Sequence, residues 1–253
     1  MNLLKRIIPK VFEATEKSIK QVSYKSKDEI VTSSDLYIEK EIIRSILEEF
    51  PNDRFFSEEF HKDSSLEDRT WLIDPIDGTS NYAHGLDMFV VQVALYDHND
   101  FVLSYIYAPR INKTFTAIKG EGAYLNEERI HTEKDTTSPN RLFSLVGITH
   151  QSDNDKSMFQ EMIQFSQRNK IKLRMLGTMG FEMAHLAQGA FSLLYTDVYN
   201  PWDIAPGIVL VKEAGGIISN EFGEPYKIGD THLFAFANQV VMNEVIQSIN
   251  NKI

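Results

Sequence analysis

The 253-residue chain contains no cysteine. That removes disulfides, a thiolate nucleophile and cysteine-ligated metal from the available chemistry, and it fits a cytoplasmic location. Long apolar runs are missing too, and no stretch approaches the length needed to span a bilayer. Within Met1–Lys20 the apolar residues Leu4, Ile8, Val11 and Ile19 recur at helical spacing, interrupted by Lys and Glu, so the segment reads as an amphipathic helix and not as a signal sequence. Positive charge is scarce. There are 26 Lys+Arg against 36 Asp+Glu, a formal net charge of -10. This balance argues against nucleic acid or an anionic membrane as partner. It also means that a phosphorylated substrate is repelled unless something cationic sits in the site, and bound Mg²⁺ would supply that charge locally. What remains is ordinary for a globular protein, with 42% hydrophobic and 25% charged residues and length enough for one large domain or two small ones.

The first half reads as two helices followed mostly by strands. A helix is expected over Leu4–Val22, kinked or started by Pro9, then a polar loop from Tyr24 to Ile30. A second helix spans Asp35–Phe50, with Thr32, Ser33 and Ser34 as candidate caps and Pro51 as its stop. Phe55-Phe56 and Thr70–Asp74 read as strands, Met88–Tyr96 and Phe101–Ala108 as a hairpin, and Thr114–Ile118 with the segment around Tyr124 as its continuation. Beyond Pro139 strands and helices alternate. Strands are expected at Leu142–Val146, Ile171–Met175, Ala190–Asp197, Ile217-Ile218 and Leu233–Phe236. Helices are expected at Lys156–Asn169, Thr178–Gln188, Ile204–Ala214 and Gln239–Ile249. Such alternation packs helices on sheet faces. The polar, breaker-rich stretch near residues 135–140 divides an N-terminal α+β unit, 1–138, from a C-terminal α/β unit, 139–253.

The most informative stretch is Trp71-Leu72-Ile73-Asp74-Pro75-Ile76-Asp77-Gly78-Thr79. An apolar strand ends in two carboxylates three residues apart. Pro75, which has no N–H to give a ladder, is expected to take the chain out of the sheet. Gly78 then permits a tight turn into a short helix at Ser80-Asn81-Tyr82, whose first N–H groups suit a phosphate. Two carboxylates this close repel unless one is protonated or a cation lies between them. Mg²⁺, which takes hard oxygen ligands, is the natural cation. Asp-Pro and Asp-Gly are also ordinary turn dipeptides. Glu58-Glu59 follows the strand Phe55-Phe56, so one of the pair can join Asp74 on a shared metal. Asp203 precedes a helix and reads as its N-cap, with Pro206 in the first turn; capping does not exclude ligation. Asp35 reads as a helix cap and, functionally, as a group that orients the Thr79 hydroxyl. Gly177-Thr178 resembles a second strand-to-helix anion site. His84, His131, His150 and His185 show no ligand spacing and read as structural or surface residues.

Taken together and in order, these segments resemble the inositol monophosphatase family of Mg²⁺-dependent, Li⁺-sensitive phosphatases. Val31-Thr32 with Asp35 is similar to the end of its D-x-V-T-x-x-D segment, with Glu29 in place of the first Asp. Ser57-Glu58-Glu59 is similar to G-E-E, with Ser57 replacing Gly. Trp71 to Thr79, with Asn81, resembles W-x-I-D-P-I-D-G-T-x-N. Gly177-Thr178 resembles the G-(S/T)-x-A loop, with Gly180 replacing Ala. Pro201-Trp202-Asp203 and Glu213-Ala214-Gly215-Gly216 resemble P-W-D and E-A-G-G.

The resemblance implies an α+β fold, a layered αβαβα sandwich of the inositol monophosphatase and fructose-1,6-bisphosphatase type. It implies two or three Mg²⁺ ions per site. Glu58, Asp74 and the Ile76 carbonyl would hold one, and Asp74, Asp77 and Asp203 a second. A metal-activated water would attack phosphorus in line, with Glu58, Thr79 and Asp35 as the catalytic groups. Substrate would be met by Ile76, Asp77, Gly78, Thr79, Gly177, Thr178, Asn200 and Asp203. Where inositol-specific members carry a Glu seven positions before the Pro-Trp-Asp aspartate, this chain has Thr196 followed by Asp197, so Asp197 is the candidate replacement. A small polyol or sugar phosphate is the expected substrate, inositol 1-phosphate first. The alternatives are 3′-phosphoadenosine 5′-phosphate, fructose 1,6-bisphosphate and histidinol phosphate. A regulatory protein-binding role is a further alternative, and a homodimer is the assembly the resemblance allows.

Overall fold

The computed structural model describes residues 1–16, 21–24, 30–133, 141–146, 158–197 and 199–250. In chain order the elements are α1 (Asn2–Glu16), β1 (Val22–Tyr24), β2 (Ile30–Thr32), α2 (Ser33–Glu49), β3 (Arg54–Ser57), β4 (Thr70–Asp77) and α3 (Thr79–Ala83). Then come β5 (Val90–Asp97), β6 (Asp100–Ala108), β7 (Lys113–Ile118), β8 (Gly122–Leu125), β9 (Glu128–Ile130) and β10 (Leu142–Val146). The chain continues through α4 (Met158–Arg168), β11 (Lys172–Arg174), α5 (Met179–Ala187), β12 (Leu193–Thr196) and α6 (Pro201–Glu213). It closes with β13 (Ile217–Ser219), β14 (Leu233–Phe236) and α7 (Gln239–Asn250). Among the described residues no helix is long and apolar enough to cross a membrane.

The period-two alternation of the strands sorts these elements into layers. β3 to β9 form a seven-stranded sheet in sequential order. Trp71, Ile73, Val91 and Val93 turn to one face and pack with Leu4, Ile8, Ile38, Ile42 and Ile46 of α1 and α2. Leu72, Val90 and Ala94 turn to the other and pack with α5 and α6. The same two helices cover one face of a five-stranded sheet, ordered β11-β10-β12-β14-β13, through Leu194, Leu233 and Ala235. The far face of that sheet presents Phe143, Leu193, Tyr195 and Phe234 to α4 and α7. The result is helix pair, sheet, helix pair, sheet, helix pair, the αβαβα sandwich expected from the resemblance.

Several boundaries differ from expectation, each for a local reason. α1 starts at Asn2 with Pro9 inside it, and Val22 belongs to β1, paired with Thr32, so no helix reaches it. The expected 24–30 loop is flanked by that β1–β2 hairpin; residues 25–29 lie outside the described set, as do the expected domain boundary at 138/139 and the first residues of the Lys156–Asn169 helix. β4 does not end at Asp74. It runs to Asp77, with Asp74 opposite Gln92 and Asp77 opposite Val90, so Pro75 and Ile76 together face one residue. This β-bulge is where a sheet tolerates a residue without an N–H. α6 starts at Pro201, not Ile204, because Asn200 caps it and Pro at the first position is preset for a helix. Pro206 therefore sits in the second turn.

Candidate active site

The bulge delivers Asp74 and Asp77 to the sheet's end without losing the strand. Gly78 follows at φ 90°, capping α3. Only glycine suits this point, since a Cβ would also lie 3.1 Å from Thr178 Cβ and 3.2 Å from the Met88 carbonyl oxygen. The turn aims Thr79, whose Oγ1 is 2.9 Å from the Ile76 carbonyl oxygen and 3.3 Å from Asp35 Oδ1. Both partners accept, so the hydroxyl proton points inward and its lone pairs remain for another donor. Asp35 is itself fixed at the third position of α2. Its Oδ2 accepts the Thr32 N–H at 2.8 Å and the Thr32 hydroxyl, while Thr32 Oγ1 accepts the Ser34 N–H. Thr32 is thus the N-cap, and Asp35 closes a capping box as well as meeting Thr79. Burial raises the Asp35 carboxyl to about 6, against the pull of the Thr32 bonds.

Glu58 arrives from β3, parallel to β4, with its N–H on the Ile73 carbonyl at 3.2 Å. A fully buried carboxylate, Glu39 of α2, shapes the turn that follows. It accepts the N–H groups of Glu59 and Phe60, both at 2.8 Å, and the Ser57 hydroxyl at 2.5 Å. Ser57, which departs from the family's glycine, is therefore a partner of Glu39.

Gly177 (φ 74°) and Thr178 lead into α5. Asp77 docks on this helix start, accepting from Thr178 Oγ1 at 2.7 Å, Met179 N at 3.1 Å and Gly180 N at 2.5 Å. The Leu176 peptide is gripped at both ends. Its N–H donates to Glu182 Oε1 and its carbonyl accepts from Asn81 Nδ2, each at 2.7 Å. Asp203 Oδ2 accepts the Asn200 N–H at 2.6 Å, so Asp203 is the third helical residue of α6 and not its cap.

These segments enclose a cleft of 220 Å³ lined by Glu58, Asp74, Ile76, Asp77, Gly78, Thr79, Gly177, Thr178, Asn200 and Asp203. Val146, Met179 and Trp202 complete the wall, and no Lys, Arg or His contributes among the described residues. The four acids repel one another. Burial first, then the charges of Glu58, Asp77 and Asp203, push the Asp74 carboxyl well above its ordinary range. Asp203 rises to about 8 through burial, opposed by the Asn200 N–H and reinforced by Asp77 and Glu58. Asp77 rises to about 6 by burial, held down by its three bonds to α5. Asp74 Oδ1 is buried with no hydrogen-bond partner among the described residues. An all-oxygen, acid-rich donor set with one orphaned carboxylate oxygen fits a hard cation. Among the described residues, however, no three of these groups crowd tightly enough round one point to enclose an ion.

The sequence model of the inositol monophosphatase family matches residues 1–253. The chain belongs to that family. An inositol monophosphatase of Dictyostelium discoideum is 32% identical over 227 residues, spanning 88% of this chain and 84% of its own. A fructose-1,6-bisphosphatase/inositol-1-monophosphatase of Thermotoga maritima is 33% identical over 224 residues, spanning 88% and 83%. Among solved structures, a T. maritima inositol monophosphatase superposes with a TM-score of 0.84 at 28% identity, covering 99% of this chain and 94% of that one. Like these inositol monophosphatases, the chain is a phosphoric monoester hydrolase.

One expected site residue stands apart. Asp197 does not line the cleft; it lies by the Tyr195 phenol, whose pKa it helps to raise after burial. Asp35 is behind Thr79 and not in the wall. Glu29 and His150 lie outside the described residues. Gln92, Glu39 and Glu182 were not singled out by sequence, although each touches a cleft residue or its supporting turn.

Proposed function

We propose that the acidic cleft hydrolyses the phosphomonoester of a small polyol or sugar, inositol 1-phosphate first, with Mg²⁺ as cofactor. The observation that carries this reading is the buried Asp74 Oδ1, without a hydrogen-bond partner among the described residues, in a cleft it shares with three further carboxylates and to which no described Lys, Arg or His contributes. Such a surface repels a phosphate dianion, and a divalent cation reverses that sign. Glu58, Asp74, the Ile76 carbonyl, Asp77 and Asp203 are the residues that would hold it. When bound, the metal supplies charge neutralisation and a lowered pKa for water.

The chain's own groups do the rest. Thr79 keeps its proton towards the Ile76 carbonyl and Asp35, so its lone pairs receive a proton-bearing water and orient it towards phosphorus. Glu58 accepts the proton that water releases as its oxygen bonds to phosphorus; the ester P–O bond breaks in the same displacement and the leaving alkoxide takes a proton from solvent. The N–H groups of Gly78 and Thr79 meet phosphate oxygens at the start of the turn. Asn200, exposed at the rim, is placed to meet a hydroxyl of the leaving alcohol. Inhibition by Li⁺ and a homodimer are expected from the family resemblance. Asp197 has no part in this scheme.

The relatives' names leave a second substrate, since one is called a fructose-1,6-bisphosphatase as well. Phosphate release measured with inositol 1-phosphate, fructose 1,6-bisphosphate, 3′-phosphoadenosine 5′-phosphate and histidinol phosphate, each with Mg²⁺ and with or without Li⁺, decides between them. Turnover of inositol 1-phosphate with Li⁺ inhibition supports the proposal. Turnover of the nucleotide alone overturns the polyol assignment.

A further inference from the structure

Gly180 replaces the alanine of the family's G-(S/T)-x-A loop, and the structure gives the replacement a purpose. Gly180 lies in α5 and is not among the glycines with positive φ. Its backbone therefore does not require glycine, and a glycine inside a helix is otherwise unfavourable. The reason is a neighbour. A Cβ on Gly180 would lie 2.9 Å from Gln92 Cδ, closer still to Gln92 Oε1, and 3.0 Å from Val90 Cγ2.

Gln92 is fully buried on β5, directly opposite Asp74, on the sheet face that meets α5 and α6. Its Nε2 donates to Asp74 Oδ2 at 3.2 Å and to the Asp203 backbone carbonyl at 3.2 Å. The Asp203 backbone carbonyl can only accept, which fixes the amide with its nitrogen towards Asp74 and α6. Gln92 Oε1 must then face α5, where it has no hydrogen-bond partner among the described residues. One side chain thus ties the strand that carries Asp74 to the helix that carries Asp203, and a Cβ at Gly180 would force its amide to shift.

We propose that Gln92 is a positioning residue of the acidic site, setting Asp74 against α6, and that Gly180 is the clearance that admits it. This rests on the reading of Asp74 and Asp203 as metal-holding groups. Outer partners of such groups typically change metal affinity roughly 10–100-fold when removed. The test is a cycle of Gln92→Ala, Gly180→Ala and the double variant. Its three readouts are thermal unfolding in chelator, calorimetric Mg²⁺ binding, and the substrate KM at saturating Mg²⁺.

In chelator, Gly180→Ala lowers Tm clearly more in the wild-type background than in the Gln92→Ala background, where only the 3.0 Å approach to Val90 Cγ2 remains. In the second readout, Gln92→Ala and Gly180→Ala each weaken Mg²⁺ binding by about tenfold or more. The double variant is no weaker than Gln92→Ala, and KM moves little in any of them. A Gly180→Ala effect on Tm that is the same in both backgrounds overturns the clearance. Wild-type Mg²⁺ affinity in Gln92→Ala overturns the positioning role while leaving the metal-site reading intact. Absence of Mg²⁺ binding by the wild-type protein overturns that reading and this inference with it.

Discussion

Thr79 and Glu182 show how differently a cleft residue and one that grips the turn behind it bear on the site. Thr79 is half-buried, and its hydroxyl serves the reacting water in the proposed scheme. Thr79→Ala is expected to lower kcat by about 10²–10⁴-fold, the usual scale for a lost proton-transfer group, with little change in Tm. Stopped-time phosphate assays beside thermal melts check this. Glu182 acts on stability instead. Burial holds its carboxyl at about 8 in the folded protein, against an ordinary value of 4.5, although the Leu176 N–H pulls the other way. Between those values the unfolded chain gives up the proton and the folded chain keeps it, so rising pH favours unfolding. Glu182→Gln keeps an acceptor for Leu176 and cannot ionise. Its Tm should match the wild type near pH 4.5 and exceed it increasingly towards pH 8. A constant offset across that window would contradict the assignment.

At this scale the sequence was legible where a residue's chemistry is its own. Asp74, Asp77 and Gly78 announce themselves, whereas the meeting of Thr79 with Asp35, 44 positions apart, was implied by the family resemblance and not by the residues alone. Gln92 could not, because its importance comes from Asp74 and from a carbonyl 111 positions away. Glu39 is an unremarked acid in a helix until Ser57, Glu59 and Phe60 fold back on it. Asp197 drew attention by nearness in sequence to the family's glutamate position, and the fold turned it towards Tyr195.

Elements followed hydrophobic periodicity closely. α2 shows Ile38, Ile42 and Ile46 at four-residue spacing, and all three are fully buried against the seven-stranded sheet. Ile46→Ala is expected to destabilise the fold by about 2–5 kcal/mol, measured by denaturant melts, since the cavity adds to the lost burial. Its Mg²⁺ dependence should not move, because Ile46 does not line the cleft. Element ends were harder to read. The bulge at Pro75-Ile76 depends on register with β5, which no local signal encodes. The start of α6 turned on whether Asn200 or Asp203 caps it. Both are good caps, and the tertiary position of Asp203 in the cleft settled the choice. The β1–β2 hairpin is only three residues a side, too short for alternation to show.

Across the whole molecule the acid excess and the cleft act in the same direction. A net charge of -10 and a cleft to which no described Lys, Arg or His contributes leave the folded, metal-stripped protein with mutually repelling carboxylates. Mg²⁺ that binds only the folded state should therefore raise Tm, by about 2.7 kcal/mol in stability at 100 times its Kd. The rise should grow from pH 6 to pH 8 as Asp203, raised to about 8 by burial, gives up its proton more readily to the metal. The layered order of the sandwich was legible as alternating strands and helices. That α5 and α6 are shared between two sheets was not, because it needs contacts across the whole chain.

The most direct measurement is phosphate release from inositol 1-phosphate by chelator-stripped wild-type and Asp74→Asn proteins as Mg²⁺ is titrated back. No release is expected in chelator, with full recovery of the wild type on Mg²⁺ addition and no recovery of Asp74→Asn at the concentrations that saturate the wild type. Release that persists in chelator, or an Asp74→Asn protein as active as the wild type, would contradict that expectation.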